Sequence, residues 1–357
     1  MAGSVTTREP TREPERQPTS RPGGGQVLIL AATVVALVAV VVVAIAVGSV
    51  TVTPDVVMSA VRKGLAGEPL RPLETIVWQL RFPRVLLAGL VGGALALAGA
   101  VFQGVFRNPL ADPYLIGTAS GAGFGAVLVM SLGASTPFLA RVGAPVAAFV
   151  CALATVMLVV FLARVGGALP MVRLVLAGVV ISSLFTAGTS FLLVAAREQA
   201  GGILAWVLGG FGFSTWRQVG LLAAVAVPAL ALVGAFSRAL DLLQLGEEGA
   251  ALLGLGVERT KLLLLGVATL VTAAAVSVAG IIGFVGLIVP HAARLALGRP
   301  HGRLLPIAAL WGAGFMILAD LLARQVIAPV EVPVGIVTAL VGGPFFLWLL
   351  KGKADER

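Results

Sequence analysis

Few side chains in this sequence are of the types that carry out covalent or metal chemistry, and they lie far apart. Cys151 is the only cysteine, and His291 and His301 are the only histidines among 357 residues. A dedicated metal site needs several cysteine, histidine or carboxylate ligands close together, and a disulfide within the chain needs a second cysteine. The sequence therefore predicts no metal site, no cofactor and no intrachain disulfide.

Hydrolytic chemistry is also poorly supported. Ser182, Ser183 and Ser190 lie in one apolar run and could serve an intramembrane hydrolase, but neither histidine is placed to activate them. Serines inside such helices more often bond the preceding turn or a neighbouring helix. The phosphate-binding pattern G-x-x-x-x-G-K-[ST] does not occur in the chain. The chain is therefore not expected to be an enzyme or to hydrolyse ATP itself.

The stretch RNPLADPYLIG (107–117) is unusually polar and stiff for a sequence so poor in charge. Pro109 and Pro113 fix their own φ angles and restrict the residue before each of them, which predicts a pre-shaped loop. Within this loop Asp112 can cap the helix that follows, and Asn108 can bond to a second subunit. A constriction in a pathway and a simple rigid turn are both compatible with the pattern.

The elements that position these residues are membrane helices. Of the 357 residues 59% are hydrophobic and 11% are charged, and the mean hydropathy is +1.05. A soluble domain is about half apolar and a quarter charged. The composition predicts an all-α, polytopic membrane protein, which is expected to lie among lipids and not to bind nucleic acid.

Apolar runs long enough to cross the roughly 30 Å hydrocarbon layer fill most of the chain. The stretch at 262–297 is long enough for one full span and one short, broken span, because three glycines and Pro290 interrupt it. With eight uncharged runs elsewhere, ten crossings are predicted. The run at 203–213 is too short to cross and is expected to lie at the interface or to dip in. The eight runs are 27–47, 85–106, 114–134, 142–163, 174–195, 218–237, 304–323 and 333–350.

Both ends of the chain are predicted to be tails. Residues 1–26 are rich in proline and glycine and mixed in charge, which predicts disorder, and residues 351–357 form a short charged end. The run after residue 26 is longer than the core of a signal peptide, so an uncleaved first span is favoured over a cleaved one. The segments on the side of the termini then carry 16 of the 25 Lys and Arg residues, which predicts cytoplasmic termini.

The two halves of the chain contain a weak internal repeat. A shift of 181 residues places Pro109 on Pro290 and aligns several glycines and alanines. The copies begin in spans two and seven, so they have opposite orientations, and inverted repeats with interrupted helices are typical of transporters. The loop at 107–117 and the segment at 287–298 are therefore predicted to be equivalent breaks.

Three long segments resemble the FecCD family, the permeases of ABC importers for iron–siderophore, haem and cobalamin. The resemblance covers nearly everything after residue 26 and implies a type II importer fold of ten spans, with the permease domain at 27–350. The segments are RFPRVLLAGLVGGALALAGAVFQGVFRNPLADPYLIGTASGAGFGA (81–126), GIIGFVGLIVPHAARLALGRPHGRLLP (280–306) and LADLLARQVIAPVEVPVGIVTALVGGPFFLWLL (318–350).

The resemblance implies transport of an iron(III)–siderophore, or of haem or cobalamin, across the bacterial cytoplasmic membrane. The implied partners are a second permease subunit, two ATP-binding subunits and an extracytoplasmic substrate-binding protein. An ion-coupled secondary transporter is a competing hypothesis. That mechanism usually places ionisable groups within the spans, whereas here they lie almost only at the ends of the spans.

The resemblance also assigns roles to individual residues. Arg81, Arg84 and Arg324 would receive acidic side chains of the binding protein. Asp320 lies four residues before Arg324 and would hold that guanidinium outward. A snorkelling arginine that anchors a helix at the interface is the alternative for each position.

Two loops would form a cytoplasmic gate. One contains Asn108 and Leu110, and the other reads ALPMV (168–172) and contains Pro170 and Met171. The second loop is more apolar here than in the cobalamin members of the family, which puts its match in doubt.

The polar interruption at 242–258 would contact the ATP-binding subunits. Its glycines are expected to divide it into two short helices, and two acidic residues would lie in the first turn of a helix, where the macrodipole favours negative charge. The residues concerned are Gly246, Glu247, Glu248, Gly254 and Gly256.

Overall fold

The computed structural model describes residues 24–48, 50–132, 137–298 and 300–352. Of the predicted tails, residues 1–23 and 353–357 lie outside the described residues, and the neighbouring residues of both tails belong to helices. Within the described ranges the chain is almost entirely helical, which confirms the predicted fold class. The helices are α1 (Gly24–Ala46), α2 (Pro54–Ala66), α3 (Pro72–Thr75), α4 (Phe82–Phe106), α5 (Thr118–Leu132), α6 (Pro137–Ala163), α7 (Met171–Ala195), α8 (Ala200–Val207), α9 (Trp216–Ala235), α10 (Ser237–Leu243), α11 (Glu247–Leu252), α12 (Val257–Ala279), α13 (Val285–Leu297), α14 (His301–Gln325) and α15 (Val334–Gly352).

Ten of these helices are apolar enough to account for the predicted crossings. Seven helical segments in the described residues are long and apolar enough to cross a membrane, and α5, α13 and α15 are shorter apolar helices. Their bounds overlap the predicted runs, although α5 begins at Thr118 instead of residue 114. The run at 203–213 holds only the short helix α8, which is too short to cross, as expected.

The predicted break in the 262–297 stretch lies between α12 and α13. Gly280 ends α12 with φ 72°, and a Cβ there would lie 2.1 Å from the carbonyl oxygen of Trp206, so only glycine fits. The segment at 287–298 was predicted to be a break equivalent to the 107–117 loop. That prediction is wrong, because most of the segment belongs to α13 and Pro290 lies inside that helix. A proline there frees the carbonyl of Gly286, and the Gln103 side-chain amide donates to that oxygen at 3.3 Å.

Helix α4 is the central element of the fold. Most of its residues are buried, and it packs against α9, α12, α13 and α14. It crosses α14 at Gly92 and Gly312, and it crosses α13 at Gly99 and Gly286. A Cβ on Gly99 would lie 1.8 Å from the oxygen of Gly286, and one on Gly92 would lie 2.1 Å from the oxygen of Gly312. These contacts require glycine, as at close crossings of membrane helices.

Side-chain contacts sort the helix termini into two ends of the bundle. At one end the Gln244 amide donates to Gly104 O at the end of α4 (2.8 Å), and Asp241 accepts from the backbone N–H of His301 at the start of α14 (2.9 Å). At the other end Trp216 Nε1 donates to Trp78 O just before α4 (2.9 Å). The first is the predicted cytoplasmic end, and the second is the predicted outer end.

Candidate functional site

The loop at 107–112 is pre-shaped, as predicted. Arg107 ends α4 in the left-handed region with φ 51°. The Asn108 side-chain oxygen accepts from Leu110 N at 2.9 Å, and the Asn108 carbonyl accepts from Ala111 N at 3.1 Å, which closes a tight turn. Asp112 accepts from Tyr114 N at 2.8 Å and caps the 3₁₀ turn that leads into α5. Asp112 is therefore a cap, but of this short turn and not, as was predicted, of α5 itself.

The last residue of this loop, Asp112, lines an open groove along α7. Leu110 is 41% exposed and Asn108 is also exposed, so both side chains of the predicted gate face away from the core. Burial raises the pKa of the Asp112 carboxyl to about 6. The groove has a volume of about 690 Å³ and is lined by Asp112, Tyr114, Leu115, Val179, Ser182, Ser183, Thr186, Ala187 and Ser190.

The hydroxyl groups of this groove bond to their own helix or to a neighbour. Ser183 and Ser190 donate to the carbonyls four residues earlier at 2.9 Å each, and Ser120 donates to Ser182 at 3.1 Å. Neither histidine lines the groove. The arrangement agrees with a structural role for these serines. Ser182 of the groove face contacts α5, whereas the other α7 residues that line the groove are exposed within the described chain.

The second predicted gate loop lies between α6 and α7. Gly166 and Gly167 turn the chain with positive φ angles, and Val165 pairs with Ala168 in an isolated β-bridge. Pro170 is the N-cap of α7 and is exposed, and Met171 is the first residue of that helix and is half-buried. Both predicted gate loops therefore flank the groove helix at the predicted cytoplasmic end.

The second loop is held by a buried ion cluster. Lys261 is 1% exposed and pairs with Glu247 at 3.0 Å and with Glu258 at 2.7 Å. Its Nζ also donates to Leu169 O at 3.4 Å. The Leu169 N–H in turn donates to Glu258 at 3.0 Å. Both backbone groups of the residue before Pro170 are thus bound by side chains of α12.

The predicted coupling segment contains one complete short helix, α11, and not the two that were expected. Gly246 (φ 100°) is the N-cap of α11, Glu247 and Glu248 occupy the first turn of that helix, and Gly254 (φ 85°) and Gly256 separate α11 from α12. The first of the two short helices, α10, already begins before the predicted segment. Leu252 is 89% exposed, which leaves an apolar side chain at the surface of α11.

An ion cluster occupies the predicted outer end. The Arg84 guanidinium donates three hydrogen bonds to the Asp320 carboxylate, at 2.8–3.1 Å, and two to the Glu331 carboxylate, at 2.9 Å each. Asp320 is 1% exposed, whereas Glu331 is 49% exposed. Asp320 also pairs with Arg324 at 3.2 Å, as its spacing predicts. One buried carboxylate therefore binds two guanidinium groups.

The side chains of Arg324 and Arg81 turn toward α1, whereas the sequence suggested that they point outward. Arg324 donates to Ala44 O at 3.3 Å, so its guanidinium turns toward α1. Arg81, at the end of a π-helical turn, is 7% exposed and donates to Ile45 O at 2.7 Å and Ala46 O at 3.0 Å. Both cations stabilise the carboxyl end of α1, where the macrodipole is negative.

Several residues of these clusters were not predicted from the sequence. Glu331 lies 247 residues from Arg84, so no local pattern links them. Lys261 and Glu258 form an i,i+3 pair that the spacing could have indicated. Their contact with Leu169, however, depends on packing between distant segments.

Comparison with known proteins agrees with this arrangement. The FecCD transport family matches residues 36–352. The chain is 46% identical over 280 residues to the cobalamin import system permease protein BtuC of Halobacterium salinarum, a match that covers 78% of this chain and 74% of that protein. It is 42% identical over 285 residues to the hemin transport system permease protein HmuU of Yersinia pestis, covering 79% and 85%. A solved metal-chelate type ABC transporter in an inward-facing conformation is similar with a TM-score of 0.80 at 30% identity, covering 91% of this chain and 99% of that one.

Proposed function

The chain belongs to the FecCD transport family and is a polytopic permease of the metal-chelate ABC importer class; on that premise we propose how it works. In this proposal it lies in the cytoplasmic membrane with both termini inside and forms the pathway together with a second permease subunit. Two separate ATP-binding subunits supply the energy, and an extracytoplasmic binding protein delivers the chelate.

The groove on α7 is the observation that carries this proposal. It combines a row of hydroxyl groups with a helix face most of whose residues are exposed in the described chain. The hydroxyl groups of Ser183 and Ser190 donate within α7, but their oxygens can also accept hydrogen bonds, which lipid tails cannot donate. A second subunit related by a two-fold axis would enclose the two grooves as one pathway.

The loop at 107–112 is proposed as the inner gate of this pathway. Its backbone is fixed by the Asn108 turn and the Asp112 cap, and Leu110 projects from it. Two such leucines, one from each subunit, would close the axis with an apolar plug. Pro170 and Met171 at the start of α7 are proposed as the second part of the gate.

The segment around α11 is proposed as the contact for the ATP-binding subunits. The exposed side chain of Leu252 and the acidic first turn of α11 suit a partner with an apolar cleft and basic rim. Gly246, Gly254 and Gly256 supply the turns that present this helix.

The cargo is proposed to be a bulky metal chelate. An iron(III)–siderophore, haem and cobalamin all fit this class. Because two of the relatives are named for cobalamin and hemin, macrocyclic complexes come first in the order of testing.

The test is ATP-driven uptake in proteoliposomes that hold the permease with its ATP-binding subunits. Radiolabelled cobalamin, haem or a ferric siderophore is added outside with the binding protein. We expect one of these chelates to accumulate inside only when ATP is enclosed and the binding protein is present. Uptake driven by a proton or sodium gradient without ATP would instead support a secondary transporter.

The arginine cluster is proposed as the docking site for the binding protein. The ion pairs of Arg84 and Arg324 with Asp320 and Glu331 carry no net charge, and the separate Arg81, which donates to the end of α1, adds one positive charge. Glu331 is the exposed member and occupies the outer face of the Arg84 guanidinium. An acidic side chain of the binding protein would take its place.

Replacing Glu331 with glutamine should therefore strengthen docking. The change removes an internal competitor for Arg84, and we expect the Kd for the binding protein to fall about three- to tenfold at low salt. The gain should shrink as salt rises. Glu68→Gln removes another exposed outer carboxylate as a control. Equal effects of both variants would mean that general charge, and not Arg84, controls docking.

A further inference from the structure

Lys261 links the helix that faces the ATP-binding subunits to the backbone of the second gate loop. Its ammonium group lies 3.0 Å from Glu247 on α11, 2.7 Å from Glu258 on α12 and 3.4 Å from Leu169 O. The two carboxylates lie nearer the surface, with 44% and 35% of their side chains exposed, while the lysine is 1% exposed. One buried cation therefore joins three separate segments.

The physical cost of this arrangement restricts what it can do. An ammonium group taken out of water is strongly destabilising unless it stays paired and hydrogen-bonded. If α11 moved and carried Glu247 away, Lys261 would lose one of its two carboxylates. The remaining contacts would then have to rearrange, and these include both backbone bonds of Leu169. Leu169 directly precedes Pro170 and Met171.

We propose that Lys261 is a positioning residue that transmits movement of α11 to the second gate loop at 168–172. The inference rests on the proposed function, because it assigns α11 to the contact with the ATP-binding subunits. In this mechanism closure of those subunits shifts α11, Glu247 pulls on Lys261, and the Leu169 backbone follows. The start of α7, and with it the groove, then changes position.

The first gate loop, at 107–112, has a separate connection to the coupling segment at 242–258. Gln244, at the end of α10, donates to Gly104 O in the last turn of α4, two residues before that helix ends. This bond is neutral and lies on a different helix. Removing Lys261 should therefore affect the second loop without breaking the bond at the first.

The test compares Lys261→Met with Lys261→Arg in the reconstituted importer. We expect Lys261→Met to lower the number of chelate molecules imported per ATP hydrolysed at least fivefold. Lys261→Arg keeps a cation between the carboxylates and should restore at least half of the wild-type ratio. Lys63→Met is the matched control, because Lys63 pairs with the buried Glu74 at 2.8 Å at the predicted outer end, away from α11.

Hydrogen exchange at residues 168–172 gives a second readout that a purely structural role would not move. In the wild type, trapping the ATP-binding subunits in the closed state should change the hydrogen-exchange rate of this loop. In the Glu258→Gln variant the same trapping should change that rate by at most half as much. If Lys261→Met does not fold, Glu258→Gln decides the question. An unchanged transport ratio in Lys261→Met, or an unchanged exchange response in Glu258→Gln, would overturn the proposal. Absence of ATP-driven uptake in the wild type would refute the proposed function itself.

Discussion

Replacing Asp320 with alanine is expected to lower the free energy of unfolding by about 3–5 kcal/mol, the range for breaking a buried ion pair by removing one partner. Asp320 is 1% exposed and binds the guanidinium groups of both Arg84 and Arg324. Its removal leaves two largely buried cations that repel one another. The folded population relative to the unfolded one should fall at least about a hundredfold.

Thermal unfolding of the purified protein in detergent measures this effect. Glu331→Gln is the matched control, since it removes a carboxylate charge from the same Arg84, but Glu331 is 49% exposed. An exposed pair of this kind contributes about 1 kcal/mol or less. Asp320→Asn keeps the volume and should fall between the two. Equal losses for Asp320→Ala and Glu331→Gln would show that burial of Asp320 does not control the strength of the cluster.

Cysteines placed at residue 110 are expected to cross-link the two permease subunits in the resting importer. Leu110 is 41% exposed and belongs to a loop whose backbone is fixed, so its position on the axis should be well defined. A disulfide forms only when the two Cα atoms approach within about 7 Å. The experiment uses Leu110→Cys in a Cys151→Ser background, so that no other thiol is present.

The cross-link should change with the state of the gate. We expect its yield after brief oxidation to fall severalfold when the ATP-binding subunits are trapped closed. A cysteine at Val172, an exposed position on the other gate loop, reports whether that loop approaches its partner. No cross-link at residue 110 in any state would place the 107–112 loop away from the axis and remove it from the gate.

The helices could be predicted from sequence because their cause is local. Apolar runs of membrane length define the spans, and the glycines near 280 mark the break between α12 and α13. The register of the internal repeat could not be fixed in this way. Alanine and glycine are so frequent that their matches in the repeat carry little information. The match of Pro109 with Pro290 does not hold in the structure, because Pro109 lies in a loop and Pro290 lies inside α13.

The contacts of the charged residues were harder to predict for a different reason. The pairing of Asp320 with Arg324 follows from helical spacing. Arg84 lies 236 residues from Asp320, and Lys261 lies 92 residues from Leu169, so these contacts exist only once the helices are packed. Arg81 was expected at the surface, but the carboxyl end of α1 binds it because that helix packs beside α4 and α14.

The glycine crossings of α4 also determine where the bundle can deform. At Gly99 and Gly286, and again at Gly92 and Gly312, backbone atoms touch with no side chain between them. At such a contact there is no side-chain rotamer to change and no cavity to fill. The two helices can therefore rotate about the contact, but they cannot move closer together. Helix α7 has few buried residues, but it also makes a contact of this kind, because a Cβ on Gly178 would lie 2.3 Å from the backbone oxygen of Leu115. A shift of α7 relative to α4, α13 and α14 would therefore have to carry the 3₁₀ turn at Pro113–Ile116 with it, because Gly178 packs directly on the backbone of that turn.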